Sequence, residues 1–188
     1  MKIAFAFCGS FCTHREALAC LEELVLSGVE ATPVFSERVQ TTDTRFGKAA
    51  DLINYAETIC GKNGIKTIVE AEKEITGGGY DCVAVAPCTG NTLAKIALGV
   101  TDTAVTMAVK AHLRNKKPLL IAFASNDALS GNLKNIAAML EKKNVYFVPM
   151  KQDDPVKKPT SLVCDWSKLG GALQAATEGK QLHPLIVV

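Results

Sequence analysis

The chain lacks most of the features that would assign a partner at sight. Its 188 residues carry 21 Lys and Arg against 19 Asp and Glu, a net charge of +2. No dense basic stretch appears, so the electrostatic footprint of a nucleic-acid binder is missing. No apolar run approaches the roughly 20 residues of a membrane span. Met1–Phe5 is apolar too early and too briefly for a signal peptide, and no cleavage site follows it. The seven cysteines include no C-x-x-C pair, and Cys8-x3-Cys12 is a poor substitute for zinc-ligand spacing, so no metal site is expected. Their odd number and their apolar settings, such as Cys82-Val83-Ala84-Val85, read as reduced and mostly buried thiols. The expectation is a soluble, cytoplasmic protein. Neither G-x-G-x-x-G nor the P-loop pattern is present, which removes the two commonest nucleotide fingerprints.

What is present is ordinary globular composition, 48% hydrophobic and 21% charged. Short apolar runs alternate with segments of helical period. Strands are predicted at Lys2–Cys8, Glu30–Phe35, Thr67–Glu70, Cys82–Ala86, Pro118–Ala124 and Val145–Pro149. Helices are predicted near Thr13–Ser27, Arg45–Cys60, Thr89–Leu98, Thr103–Asn115, Asn132–Lys143 and Asp165–Glu178, followed by an apolar tail, Leu182–Val188. Continuous rather than alternating apolar runs imply strands covered on both faces. The fold expected is therefore α/β, a three-layer α/β/α sandwich around a Rossmann-like, doubly wound parallel sheet of about six strands. No linker or repeat divides it, so residues 1–188 read as one domain.

Such folds bind ligands beyond the carboxyl ends of their strands. That directs attention to Gly9–Thr13, Ser36–Thr44, Pro87–Thr92 and Ser125–Gly131, all rich in small polar residues. Gly9-Ser10 sits between a buried strand and a helix, where a tight turn, free helix N–H groups and a hydroxyl can hold a phosphate. Helix capping by Ser10 or Thr13 explains the same residues without a ligand. In Pro87-Cys88-Thr89-Gly90-Asn91-Thr92 a proline ends the strand and small polar residues open a helix. They serve either as an N-cap, with Lys95 solvated, or as hydrogen-bonding partners for a flat polar ligand.

This last hexapeptide resembles the PASANT motif of the homo-oligomeric flavin-containing cysteine decarboxylase superfamily, which also holds flavin prenyltransferases. Leu93–Ala97, Gly99 and Asp102 continue the likeness, and Gly9-Ser10 matches the superfamily's first loop, which helps to hold the FMN phosphate. Within it, Val39–Lys48, Ile68–Glu72, Ser125–Leu129 and Gln152–Pro159 resemble the B subunits of bacterial dipicolinate synthases. The resemblance implies oxidation of a dihydrodipicolinate-type precursor to dipicolinate, a calcium chelator of spores. It further implies an A-subunit partner that brings NADP, and a homo-oligomer to which the tail Leu185–Val188 contributes. By the same resemblance Gly9, Ser10, Ser36, Pro87, Thr89, Asn91 and Thr92 would hold a flavin, and Asn126 would shape the ring site.

Two departures separate the chain from cysteine decarboxylases. Ile65–Tyr80 lacks their histidine, and Phe123–Leu129 keeps only the asparagine of their P-x-M-N-x-x-M segment. Two rivals follow: an independent FMN-dependent decarboxylase or prenyltransferase, and a non-catalytic scaffold with a vestigial flavin pocket. Arg45 and Lys48, three apart at a helix start, share a face and with Arg38 could meet the two carboxylates of a pyridine dicarboxylate. A solvated basic face is the more common fate of such a trio. His14 reads as a solvated first-turn residue or a group near a bound ligand. No residue is assigned a catalytic role, although Cys88 stands inside the motif. The charged stretch Asp153–Lys158 fits either a surface turn or a contact between subunits.

Overall fold

The structure is a computed structural model that describes residues 1–187. The chain opens with β1 (Lys2–Phe7), a one-turn 3-10 helix at Phe11–Thr13 and α1 (His14–Leu26). It continues through β2 (Glu30–Phe35), α2 (Glu37–Thr41), α3 (Ala49–Cys60), α4 (Ile68–Gly77) and β3 (Cys82–Cys88). Then come α5 (Gly90–Leu98), α6 (Ala104–Arg114), β4 (Leu119–Ser125), α7 (Leu133–Leu140) and β5 (Val145–Phe147). The last elements are β6 (Met150–Lys151), β7 (Leu162–Cys164) and α8 (Leu169–Thr177).

Five strands form a parallel sheet in the order β2-β1-β3-β4-β5. The short β7 pairs antiparallel with the end of β4, and β6 with β7. Both faces of the sheet are buried, as the continuous apolar runs require. Ala4, Ala6, Val83, Val85, Leu119 and Ile121 pack under α4, α5, α6 and α7. Ile3, Phe5, Phe7, Ala84, Leu120 and Ala122 face α1, α3 and α8. The three-layer α/β/α architecture is therefore as expected from the sequence.

The strand expected at Thr67–Glu70 is instead the start of α4. Thr67 accepts from the Glu70 amide, and the Glu70 carboxylate accepts from the Thr67 amide, a reciprocal cap that commits these residues to a helix. Only Ile65 joins the sheet, as a single bridge beside Val34. The helix expected from Arg45 starts at Ala49. Thr44 and Gly47 exchange backbone hydrogen bonds of 3.0 and 3.2 Å, and Asp43 Oδ1 accepts from the Ala49 amide. Arg45 therefore lies within a tight turn and Lys48 directly after it, so the two do not share a helical face. Gly61, at φ +61°, ends α3 in the left-handed conformation that suits glycine. The tail folds back on the domain: Met150 exchanges backbone hydrogen bonds with Leu185 and Val187, and Leu185 packs on the core. Val188 lies outside the described residues.

Candidate functional site

The strand order reverses between β1 and β3, with β2 on one side and β4 on the other. Loops leaving β1 and β3 therefore diverge and open a crevice at the carboxyl edge. Gly9-Ser10 follows β1, Ser36 follows β2, Pro87–Thr92 follow β3, and Ser125–Asn132 follow β4. The structure joins these segments. The Ser36 amide donates to the Phe7 carbonyl at 3.1 Å. A Cβ on Gly9 would stand 3.5 Å from the Phe11 ring and 3.8 Å from Arg38 Cβ. The buried Cys8 thiol lies beneath the β3 loop, bonded to Thr92 and the Thr89 backbone, and burial pushes it up to about 12.

Thr89 caps α5 by accepting from the Thr92 amide at 3.1 Å, and Lys95 pairs with Asp102 at 2.7 Å. Lys95 is thus not free at the rim. Gly90 is packed so tightly that a Cβ there would come 2.4 Å from Asn132 Nδ2 and 2.8 Å from Ser125 Oγ. Asp127 organises this β4 loop, accepting from Asn132 Nδ2 at 2.8 Å and from the Ser125 hydroxyl. Asn126 and Asn91 are exposed, while Pro87 and Thr92 are buried. The Asn126 carbonyl accepts from Thr160 Oγ1 at 2.7 Å, which ties the charged segment 152–161 to the same rim. Within that segment Asp153 holds Lys158 and Ser161, each at 2.7 Å.

The Ser36 hydroxyl is buried without a hydrogen-bond partner. Ser10 Oγ accepts only from Thr13 Oγ1, at 3.2 Å. The carboxyl edge therefore carries one orphaned and one under-used hydroxyl beside the Gly9 turn. An unpaired buried polar group is costly unless a ligand or water satisfies it.

Beside this rim, between α1, the turn 42–48 and α3, runs a groove of about 780 Å³ lined by Phe11, His14, Arg15, Phe46, Lys48 and Tyr55 among others. Phe11 belongs to both sites, touching the Gly9 turn on one side and lining the groove on the other. Arg45 lies over the Phe46 ring, its guanidinium carbon 4.8 Å from the centroid. The structure thus seats the two arginines differently, Arg38 beside the Gly9 turn and Arg45 over the Phe46 ring.

His14 is not a solvated first-turn residue. It is buried, its ring edge-on to Phe7 and Phe11, with Nε2 2.7 Å from the Cys8 carbonyl. A carbonyl only accepts, so Nε2 carries the proton and Nδ1 is the bare nitrogen. Burial pulls the imidazole below its ordinary value, which keeps it neutral near pH 7. The sequence signal, a histidine one turn after a strand-end Gly-Ser, was present but did not reveal the carbonyl partner. Cys88 is sealed in the core, and burial drives its thiol far up, so it lacks the thiolate that nucleophilic chemistry needs. Among the described residues all seven cysteines are free, and no cluster of His, Cys, Asp and Glu could hold a metal. Nor is any helix among them long and apolar enough to cross a membrane.

The flavoprotein family model matches residues 1–178. The chain belongs to the flavoprotein family. It is similar to the B subunit of dipicolinate synthase from Bacillus subtilis (strain 168), with 39% identity over 99% of this chain and 93% of that protein. The crystal structure of the dipicolinate synthase B subunit from Bacillus halodurans C superposes with a TM-score of 0.91 at 39% identity, covering 100% of this chain and 96% of that one. A dodecameric FMN-dependent UbiX-like decarboxylase from Escherichia coli O157:H7 shares the fold, with a TM-score of 0.62, 24% identity and coverage of 79% and 80%. In this flavoprotein the likeness to the dipicolinate synthase chains extends from end to end, whereas the decarboxylase likeness is one of fold.

Proposed function

We propose that this flavoprotein is the B subunit of a dipicolinate synthase. In this reading it oxidises a dihydrodipicolinate-type precursor to the pyridine dicarboxylate in the cytoplasm of a spore-forming cell. It works with a nucleotide-binding A subunit, which brings NADP. The observation that carries the reading is the end-to-end similarity to the B subunit of dipicolinate synthase, at 39% identity.

The carboxyl rim suits FMN. Ser36 Oγ, buried and unpartnered, and Ser10 Oγ, with spare capacity, are the hydroxyls that a phosphate in the loops after β1 and β2 would satisfy. Gly9 lets the backbone approach that phosphate closely. Pro87, Thr89, Asn91 and Thr92 would border the planar part of the ligand, with Asn126 at its far edge. FMN, when bound, would add a redox-active ring system at the rim, while the NADP of the A subunit takes the hydride that the substrate ring loses. The chain's own residues orient the ligand and exclude water from it through the buried β3 loop, and Arg38, beside the Gly9 turn, offers a cation at the rim. Aromatisation of the ring provides the driving force. Leu98, Val100, Leu129 and Leu133 leave exposed apolar surface around α5 and α7, which supports a homo-oligomer.

The test begins with the absorption spectrum of the purified chain, with and without added FMN. Flavin bands that shift on binding, and bind more weakly to Ser36→Ala and Ser10→Ala, are expected. The chain is then combined with the A subunit, NADP and the dihydropyridine precursor. Formation of pyridine-2,6-dicarboxylate by the complex is expected. Failure of the complex to form it refutes the reading.

A further inference from the structure

We infer that His14 is the proton acceptor of this oxidation, taking a ring proton at Nδ1 from a substrate seated in the groove between α1 and α3. The inference rests on the proposed dipicolinate synthase activity and adds to it a substrate site and a catalytic base. Nε2 is 2.7 Å from the Cys8 carbonyl, which fixes the tautomer and leaves Nδ1 as an acceptor. Nδ1 has no hydrogen-bond partner, yet it is not among the sealed, unpartnered polar atoms, so it keeps solvent access. His14 lines the groove, which is where a substrate would meet it.

The groove has the chemistry for a flat dianion. Phe11 and Phe46 line it with aromatic rings. Arg15 and Lys48 line it, and neither takes part in an ion pair among the described residues. Each can take one carboxylate of a dihydropyridine dicarboxylate. The other titratable groups facing the groove are Cys12, Glu16 and Glu22 from the α1 side, and Asp51 and Tyr55 from α3. Glu22 is engaged by the Tyr55 hydroxyl at 3.2 Å.

In the oxidation one ring C–H bond breaks and its electron pair leaves with the hydrogen, as hydride, to the nicotinamide brought by the A subunit. A neighbouring ring carbon gives its proton to His14 Nδ1, and the electron pair left behind closes the last double bond of the pyridine. The products are the pyridine dicarboxylate, the reduced nicotinamide and an imidazolium. The imidazolium returns its proton to water through the open groove.

The experiment uses the complex of this chain with its A subunit. His14→Gln keeps a donor for the Cys8 carbonyl and supplies no base. Its kcat should fall by about 10²- to 10⁴-fold, the usual contribution of a positioned base, while KM changes little. The fall in wild-type rate toward low pH, set by protonation of His14 below its ordinary range, should disappear from the residual rate. If wild type is active and His14→Gln retains its kcat and its acidic limb, the inference fails and the activity stands. If wild type forms no product, the activity fails and the inference with it. A second readout requires neither turnover nor a variant. Imidazole ¹⁵N spectra of the wild-type chain should show His14 protonated at Nε2 and bare at Nδ1. Adding pyridine-2,6-dicarboxylate should raise the His14 pKa, because the dianion stabilises the imidazolium. A proton on Nδ1 in the free chain, or no response to the dianion, overturns the inference.

Discussion

Gly90→Ala tests the packing that holds the β3 and β4 loops together. The added methyl would stand 2.4 Å from Asn132 Nδ2 and 2.8 Å from Ser125 Oγ, while ordinary contact begins at 3.4 Å. Asn132 must therefore retreat by about an ångström, which removes its 2.8 Å hydrogen bond to Asp127. Asn132 is buried, so its amide cannot turn to water instead. Overpacking of this kind costs about 1–3 kcal/mol, and the broken bond to a carboxylate adds about 1.5 kcal/mol. Alanine's higher helix propensity returns up to about 1 kcal/mol. The net loss is about 1.5–3.5 kcal/mol, or a fall in Tm of roughly 3–14 °C for a chain of this size. Thermal unfolding followed by circular dichroism measures it, with Asn132→Ala and the double variant completing a cycle. Removing the Asn132 amide should rescue much of the Gly90→Ala loss, giving a coupling of about 1 kcal/mol or more. A Gly90→Ala protein that melts within about 2 °C of wild type, or strictly additive effects, would refute the reasoning.

Ser36→Ala should leave the ligand-free Tm unchanged or raise it, since the hydroxyl it removes is buried without a partner. The same variant should lose part of the Tm increase that FMN confers, read by melting with and without the flavin. His112 is buried with Nε2 unpartnered, and burial first, then Lys117, pulls it down to about 4. The unfolded chain thus binds its proton near pH 6.5 and the folded chain does not. Stability is fully present above about pH 6.5 and falls as pH drops toward 4, by about 3 kcal/mol. His112→Gln should flatten that dependence in urea titrations across pH 4–7, and an unchanged slope would count against it. Thr67→Ala should cost about 1 kcal/mol through loss of the reciprocal cap on α4, measurable as a lower urea midpoint with an unchanged m-value.

The sheet was legible because its strands are buried on both faces and so appear as unbroken apolar runs, Lys2–Cys8 and Cys82–Ala86 among them. Thr67–Glu70 was misread because Thr, Ile and Val favour strands by composition. The T-x-x-E pattern in the same four residues signals a helix cap, and the cap prevailed. β6 and β7 span two and three residues, too short for any period to show. The turn at 44–47 escaped notice because it is set by Asp43 reaching the Ala49 amide, six residues on. At the candidate site the reach of sequence was narrower. Gly9, Ser10 and the β3 loop could be located by the alternation of strands and helices. The orphaned Ser36 hydroxyl and the His14 tautomer depend on which backbone atoms lie beside them, and no residue pattern records that.

The Gly9–His14 segment explains why two sites need not be separate inventions. The 3-10 turn at Phe11–Thr13 separates Ser10, in the loop after β1, from His14, which lines the groove between α1 and α3. The carbonyl that fixes the His14 proton belongs to Cys8, and the Cys8 thiol is held by the β3 loop. The rim and the groove are thus linked through one residue at the end of β1. A ligand that tightens Pro87–Thr92 over Cys8 would also stiffen the carbonyl that orients the base. Binding at the rim is therefore expected to sharpen the His14 geometry, and Thr92→Val, which removes the hydroxyl facing the Cys8 thiol, should loosen it. In ¹⁵N spectra that loosening would appear as partial population of the second His14 tautomer. A Thr92→Val chain with the wild-type tautomer fully retained would show that the two sites are independent.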